Sequence, residues 1–321
     1  MSILESLSKK FLISQKELAT FINSAPYRYK VYTIPKRNGA GVRIIAQPTD
    51  VLKVMQRMVL EEFFHDLPVH DCATAYVENK SIKTNAEAHA KNQYLLKADF
   101  SDFFPSMRPA DLIEHISRHK GKLTPEDENT VKKLFFWAKK NDPTHRLSIG
   151  APSSPFISNT LMYEFDCMLH TACWQLKVTY TRYADDLTLT SNVKGALSEA
   201  LTLIKKFLED IAYPKLSINH KKTISSSKKH NRHVTGLVLA NHGKVSLGRD
   251  KKRLIKGLIF KANLETTSRE ELNKIKGLIA FSKHIEPTFY MSLIQKYGEV
   301  KITAIEAYQP DIEPKNSTLP N

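Results

Sequence analysis

Cysteine is scarce: Cys72, Cys167 and Cys173 are the only three in 321 residues, odd in number and without metal-ligand spacing. This excludes a disulfide framework and a cysteine-built zinc site, and it fits reduced thiols in a cytosolic protein. Long apolar runs are also missing. No stretch approaches the roughly 18 apolar residues of a membrane span, so no membrane association is expected. Residues 1–10 lack a basic segment followed by a long apolar run, so no signal peptide is expected and the location is read as cytoplasmic. No internal repeat of useful length occurs. Acids are the last shortage. There are 48 Lys and Arg against 33 Asp and Glu, a net charge of +15. Residues 213–261 hold 13 basic residues and one acid, Asp250, so that segment supplies +12 of the excess. A solvated face is one reading of such a run. A surface for polyanions, chiefly nucleic acid, is the other, and the density favours it.

What is present is globular in proportion, with 41% hydrophobic and 25% charged residues. The length allows one large core or two smaller ones, and two or three structural units are expected. Ser14 and Glu17 form a capping-box pattern, with Leu18, Phe21 and Ile22 following at helical spacing. Residues 29–34 and 42–46 read as strands joined by a turn at 37–41, a hairpin pattern. Residues 51–64 read as helix, with Leu52, Met55, Val59 and Phe63 on one face. Residues 94–100 form an apolar strand ending in an acid. Thr124 and Pro125 start a helix. Residues 156–173 and 194–211 read as helices, 178–183 and 187–190 as strands, and 233–239 and 244–247 as further strands. From 249 onward the pattern changes to short helices at 249–262, 268–284 and 288–307, followed by a fraying tail. The order is α+β, then a small basic helical unit.

Three acids stand out by position. Asp99 closes an apolar strand, while Asp185 and Asp186 sit between two strand-like stretches. Turn chemistry alone explains an isolated Asp-Asp pair. The other reading is catalytic. Adding a nucleotide to a 3′-hydroxyl requires a triphosphate to be neutralised and the hydroxyl activated, which two Mg²⁺ ions held by a few carboxylates accomplish. Strands would hold such acids rigidly, and clustered acids repel one another without a cation.

The surrounding segments discriminate. Tyr183-Ala184-Asp185-Asp186 resembles the YxDD signature of reverse transcriptases. Residues 96–106, with Asp99 followed five residues later by Phe104, resemble their first palm motif. The segment Gly150-Ala151-Pro152-Ser153-Ser154-Pro155 resembles the retron form of the next motif, and 216–223 the lysine-bearing motif after the palm helix. Asn85-Ala86-Glu87-Ala88-His89 and Val234-Thr235-Gly236 resemble retron NAxxH and VTG patterns. The likeness runs from about residue 27 to 236, in the right order. One departure is Ile149, which stands where such enzymes usually carry a Gln that helps to place the incoming nucleotide and template base.

The resemblance implies a right-hand polymerase: an N-terminal helix and fingers over 1–95, a palm over 96–240 with a fingers insertion near 120–150, a basic helical thumb over 241–308 and a flexible tail over 309–321. It implies RNA-directed DNA synthesis, two Mg²⁺ ions and dNTP substrates. Asp99, Asp185 and Asp186 become the catalytic and metal-binding acids, with the Phe100 carbonyl as a further ligand. Phe104 would lie under the incoming sugar and exclude a 2′-hydroxyl, or else be a core ring. Asp102 and Phe103 would present backbone N–H groups to the triphosphate, beside Gly150. Lys36 and Arg43 on the hairpin would clamp it, or form surface salt bridges. Lys222 or Lys221 would protonate pyrophosphate, and Tyr183 would support the primer end.

Asn85 and His89, with Thr235 and Gly236, are the candidates for choosing a cognate RNA; capping a helix is an equal reading of His89. Lys251, Lys252 and Arg253 would contact duplex phosphates. The partners implied are a cognate non-coding RNA, its branched RNA–DNA product primed from a 2′-hydroxyl, and an effector protein in anti-phage defence. A group II intron-like reverse transcriptase, a non-catalytic RNA-binding scaffold and a palm-like nucleotide cyclase are the rival readings.

Overall fold

The computed structural model describes residues 1–36 and 41–309. The expected hairpin turn at 37–40 and nearly all of the expected tail lie outside the described residues. Two helices open the chain, α1 (Ile3–Phe11) and α2 (Gln15–Ser24). Ser14 accepts from the Glu17 amide and Glu17 reaches back, the capping box that the sequence announces. Such a cap stabilises a helix by about 1 kcal/mol. An antiparallel ribbon follows, β1 (Tyr29–Pro35) with β2 (Val42–Pro48), then α3 (Asp50–Val59) continuing into a π turn over Leu60–Phe64.

The centre of the molecule is built from α4 (Ile82–His89), β3 (Tyr94–Asp99), a short α5 (Phe103–Ser106), α6 (Pro109–Lys120), α7 (Pro125–Phe135) and a second ribbon, β4 (Phe136–Lys139) with β5 (Asp142–Leu147). Then come α8 (Ser154–Leu161) and α9 (Tyr163–Gln175), which the apolar pattern alone reads as one helix but which part at Met162. The hairpin β6 (Val178–Tyr183) and β7 (Asp186–Ser191), α10 (Ala196–Asp210) and β8 (Ile224–Ser227) complete the unit. The main sheet has the order β6-β7-β3-β8, and every neighbouring pair is antiparallel.

A small sheet follows, β9 (Arg232–Val234), β10 (Leu237–Leu239) and β11 (Val245–Ser246). The single strand expected over 233–239 is therefore a tight hairpin. Thr235 and Gly236 both have positive φ, 48° and 80°, as a two-residue type I′ turn requires. Four helices end the described chain: α11 (Arg249–Lys261), α12 (Arg269–Ile285), α13 (Pro287–Tyr297) and α14 (Glu299–Ala307). The last two replace one expected helix because Gly298, at φ 84°, turns the backbone left-handed between them.

Two hydrophobic cores result. The larger packs α1–α3, α6–α10 and one face of the main sheet. The smaller packs α11–α14 and the small sheet against Ala86, Ala90 and Leu95. Strand β3 serves both: Leu96 and Ala98 belong to the larger core and Leu95, one residue away and on the opposite face, to the smaller. The cores therefore couple segments across the sequence boundaries expected at 95 and 240.

Candidate active site

The acids meet at one end of the main sheet. Asp99 is the last residue of β3, and its register partner on β7 is Asp186. Tyr183 pairs with Asp186 across the β6–β7 hairpin, so Ala184 and Asp185 form its two-residue tip. The Phe100 amide donates to the Asp185 carbonyl at 3.1 Å, fastening the tip to the end of β3. On the other side the Asn219 amide donates to the Asp99 carbonyl at 2.7 Å. The fold thus brings Asp99 to Asp185 and Asp186, which lie 86 and 87 residues further along the chain.

Burial and like charge shape their electrostatics. Asp185 is raised above the ordinary carboxylate range by burial and by Asp99. Asp186 is pushed up to about 6, first by burial and then by Asp185. Lys222 offsets part of this charge: its ammonium lies 2.9 Å from both Asp99 oxygens, and the hydrogen bond to Asp99 raises its own pKa. Lys222, rather than Lys221, is the lysine brought to the acids. Among the described residues no three acids, histidines or cysteines, these acids included, are arranged closely enough to hold a metal ion as they stand. The fit to a metal rests instead on donor chemistry. These are hard oxygen donors whose mutual repulsion a divalent cation relieves.

Beside the acids lies a cleft of about 460 Å³, walled by Gln47, Arg57, Tyr76, Phe104, Ile149 and Gly150 among others. Burial first, then the charges of Tyr183 and Asp185, raise the Tyr76 hydroxyl pKa, so this wall lies within electrostatic reach of the hairpin tip. Phe104 is half-buried in this wall and edge-on to Phe103, while Phe103 is buried and stacked on Phe100. Gly150 has φ 121°, and a Cβ there would come within 3.1 Å of Ile45 Cγ2 and 3.3 Å of the Ala46 carbonyl. Only glycine allows this loop to lie against β2, where Ala46 donates to the Ile149 carbonyl at 2.9 Å. Asp102 is exposed with φ 44° at the start of α5. Lys36 and Arg43 are exposed on the β1–β2 ribbon, and the charge of Arg43 reaches Asp185.

The expected RNA-choosing residues are placed differently. Asn85 and His89 have no accessible surface. His89 bonds Thr190 Oγ1 at 2.8 Å and Thr181 Oγ1 at 2.7 Å through its two ring nitrogens, and Thr181 donates to Asn85 at 2.5 Å. The four-residue spacing does put both on one helical face, but that face is pressed on the threonine side of β6 and β7. They tie α4 to the sheet, a buried placement that the helical spacing alone does not announce. Thr235 also has a structural use, donating to the Ile82 carbonyl at 3.0 Å, whereas Gly236 is exposed. On α11, Arg253 is exposed, Lys251 lies over the Phe281 ring at 5.0 Å, and Lys252 is held by Glu286 at 2.5 Å.

Sequence reading missed Gln47, Arg57 and Tyr76 on the cleft wall, which carry no local motif. It also missed Asp166 and Arg182, a buried pair beneath the hairpin. A lone charge in the strand Val178–Tyr183, on the same face as Val178 and Tyr180, was the available signal.

The reverse transcriptase (RNA-dependent DNA polymerase) family matches residues 34–239. The chain therefore belongs to the reverse transcriptases, enzymes that polymerise DNA on an RNA template. Within them it is a bacterial retron reverse transcriptase: the Retron Ec83 reverse transcriptase of Escherichia coli is 43% identical over 87% of this chain and 90% of its own length. The Retron Ec73 reverse transcriptase, also of Escherichia coli, is 36% identical over 91% of this chain and 94% of its own. Among solved structures, telomerase from Candida albicans in complex with a fragment of telomeric RNA aligns with 88% of this chain at 10% identity and a TM-score of 0.47. The alignment spans 61% of that telomerase chain. Family membership carries divalent-metal dependence and nucleic-acid partners with it. Among the described residues no helix is long and apolar enough to cross a membrane.

Proposed function

We propose that this enzyme uses Mg²⁺ and dNTPs to copy part of a cognate retron RNA, starting from a 2′-hydroxyl of that RNA and leaving a branched RNA–DNA product. The observation that carries the reading is the register of Asp99 with Asp186, with Asp185 at the adjoining hairpin tip, beside a cleft walled by Phe104. Asp99, Asp185 and Asp186 would hold two Mg²⁺ ions, with the Phe100 carbonyl as a further donor. When bound, the ions supply charge neutralisation of the triphosphate and activation of the attacking hydroxyl.

The chain's own residues do the remaining work. Lys222 keeps a proton next to Asp99 and is the group to pass it to departing pyrophosphate. Phe104 lines the cleft and excludes a 2′-substituent by volume. Lys36, Arg43 and the amides of Asp102 and Phe103 receive the triphosphate, and Gly150 lets the template-side loop lie close. Fingers over 1–95, a palm over 96–240 and a thumb over 241–308 form the hand, with Lys251 and Arg253 turned to duplex phosphates. A role in anti-phage defence with an effector protein is the broader part of this proposal.

The test is the nucleic acid that accompanies the protein when it is purified with its neighbouring RNA gene. A short DNA that survives phenol extraction joined to RNA, and is released by a debranching enzyme, is expected. DNA recovered with no RNA attachment would overturn the 2′-hydroxyl step and leave ordinary primer extension.

A further inference from the structure

Beneath the hairpin that carries Asp185 and Asp186 lies an ion pair with no accessible surface on either partner, Arg182 and Asp166. Burying two charges is costly, and well-packed apolar side chains of similar volume are often as stable. Cohesion of the core alone therefore gives no reason for the pair. Direction does. Arg182 Nε donates to both Asp166 oxygens at 3.0 and 3.1 Å, and one terminal nitrogen donates to Asp166 Oδ2 at 2.6 Å. The other terminal nitrogen donates to Asn159 Oδ1 at 3.1 Å and to the Ala184 carbonyl at 3.1 Å.

Ala184 is the residue immediately before Asp185, and it is held at φ 55°, a conformation that a residue with a Cβ seldom adopts. The scaffold under Arg182 is itself anchored. Tyr180 donates to Asp166 at 2.7 Å, Asn159 donates to the Ala75 carbonyl at 2.8 Å, and the Arg182 backbone is bonded to Cys72 and Thr74, each at 2.8 Å.

We propose that Arg182 is a positioning residue for DNA synthesis: Asp166 and Asn159 orient its guanidinium, which grips the Ala184 carbonyl and so fixes the left-handed turn from which Asp185 projects. This rests on the reading of Asp185 as a catalytic acid. A planar fork is needed because one arm must face the carboxylate while another faces the carbonyl. An ammonium is a single point of charge and cannot span both. Without the grip the turn relaxes toward ordinary φ, and misplacement by about 1 Å at a reacting centre costs on the order of a hundredfold in rate.

The test uses the full chain with Arg182→Lys and with the double variant Asp166→Asn, Arg182→Met, which removes both charges together and so avoids a lone buried ion. Two quantities are read: kcat and KM for extension of a primed RNA template, and amide hydrogen exchange in metal-free protein. The expected result is a kcat ten- to a hundredfold lower with KM for the template unchanged. Exchange should be faster over residues 183–186 while β3 and α9 keep wild-type protection. A double variant that melts cooperatively with wild-type kcat overturns the proposal. So does faster exchange spread evenly over β3 and α9, with kcat lost only in proportion to unfolded protein. Asp185→Asn is assayed in parallel. If it is active, the catalytic reading itself fails; if it is inactive while the Arg182 variants are active, only the positioning role fails.

Discussion

The acid end of the main sheet and the basic face of α11 carry opposite charges, and they hold them in opposite ways. Asp99, Asp185 and Asp186 are short side chains on two strand ends and a hairpin tip, partly or fully buried and clamped by backbone bonds from Phe100 and Asn219. Arg253 and Lys251 are long side chains on a helix surface, one exposed and the other resting on an aromatic ring. Chemistry at a phosphorus centre needs charge fixed to a fraction of an ångström. Binding to a duplex backbone needs charge that can follow any sequence. Position is scarce in the first region and interchangeable in the second, so single substitutions should be felt very differently in the two.

The sharpest break in that comparison is expected at the acids. Asp99→Asn or Asp185→Asn should lower primer extension by on the order of a thousandfold, the scale of losing one strong transition-state charge contact, with RNA affinity retained. Near wild-type extension by either variant would remove the catalytic assignment. Next in size is the cleft wall. Phe104→Val should narrow the ratio of kcat/KM for dNTP over NTP by about ten- to a hundredfold; an unaltered ratio in an active variant makes Phe104 a packing residue only.

On α11 the effects should be gradual. Arg253→Gln should flatten the plot of log affinity against log salt by about 0.7 to 0.9, equally for all template sequences. Lys252→Gln should flatten it less, because Glu286 already holds that ammonium. Equal slopes for both variants would mean that Glu286 releases Lys252 to the nucleic acid.

The smallest effect concerns His89, which burial keeps neutral with a pKa lowered to about 3. In the unfolded chain it titrates near 6.5, so between those values only the unfolded state binds the proton. Its contribution to stability is constant above about pH 6.5 and is lost as the pH falls from there toward 3. His89→Gln should therefore make the fall in unfolding free energy between pH 6 and 4 shallower by up to about 1.4 kcal/mol per pH unit. An identical slope in urea titrations of the two proteins would show that His89 protonates without unfolding.

Legibility in the sequence followed the range of the forces involved. The capping box at Ser14, the Thr124 start of α7 and the apolar strand ending at Asp99 are local patterns, and all three appear where expected. The three acids were legible because a short motif and a strand end mark them. Asn85 and His89 were legible as a pair on one helical face but not as buried, since burial depends on threonines about 90 to 100 residues away on β6 and β7. Arg182 showed only as a lone charge on its strand; its purpose was hidden for the same reason, since Asp166 and Asn159 share no local pattern with it and their meeting is a property of the packed sheet.

The two-faced strand β3 has a consequence for recombination. Leu95 looks toward the C-terminal helices and Leu96 toward the larger core, and Ala86 and Ala90 of the α4 region side with Leu95. A graft that exchanges everything after residue 240 between relatives would keep the old docking plate and bring a new helical cluster to it. The mismatch would fall on Ala86, Ala90 and Leu95, where a single extra methylene is felt in a close-packed core. Hybrids should therefore inherit residues 82–95 and 232–307 from the same parent. The unit of exchange is discontinuous in sequence, and crossover points chosen from the linear order of motifs would cut through it.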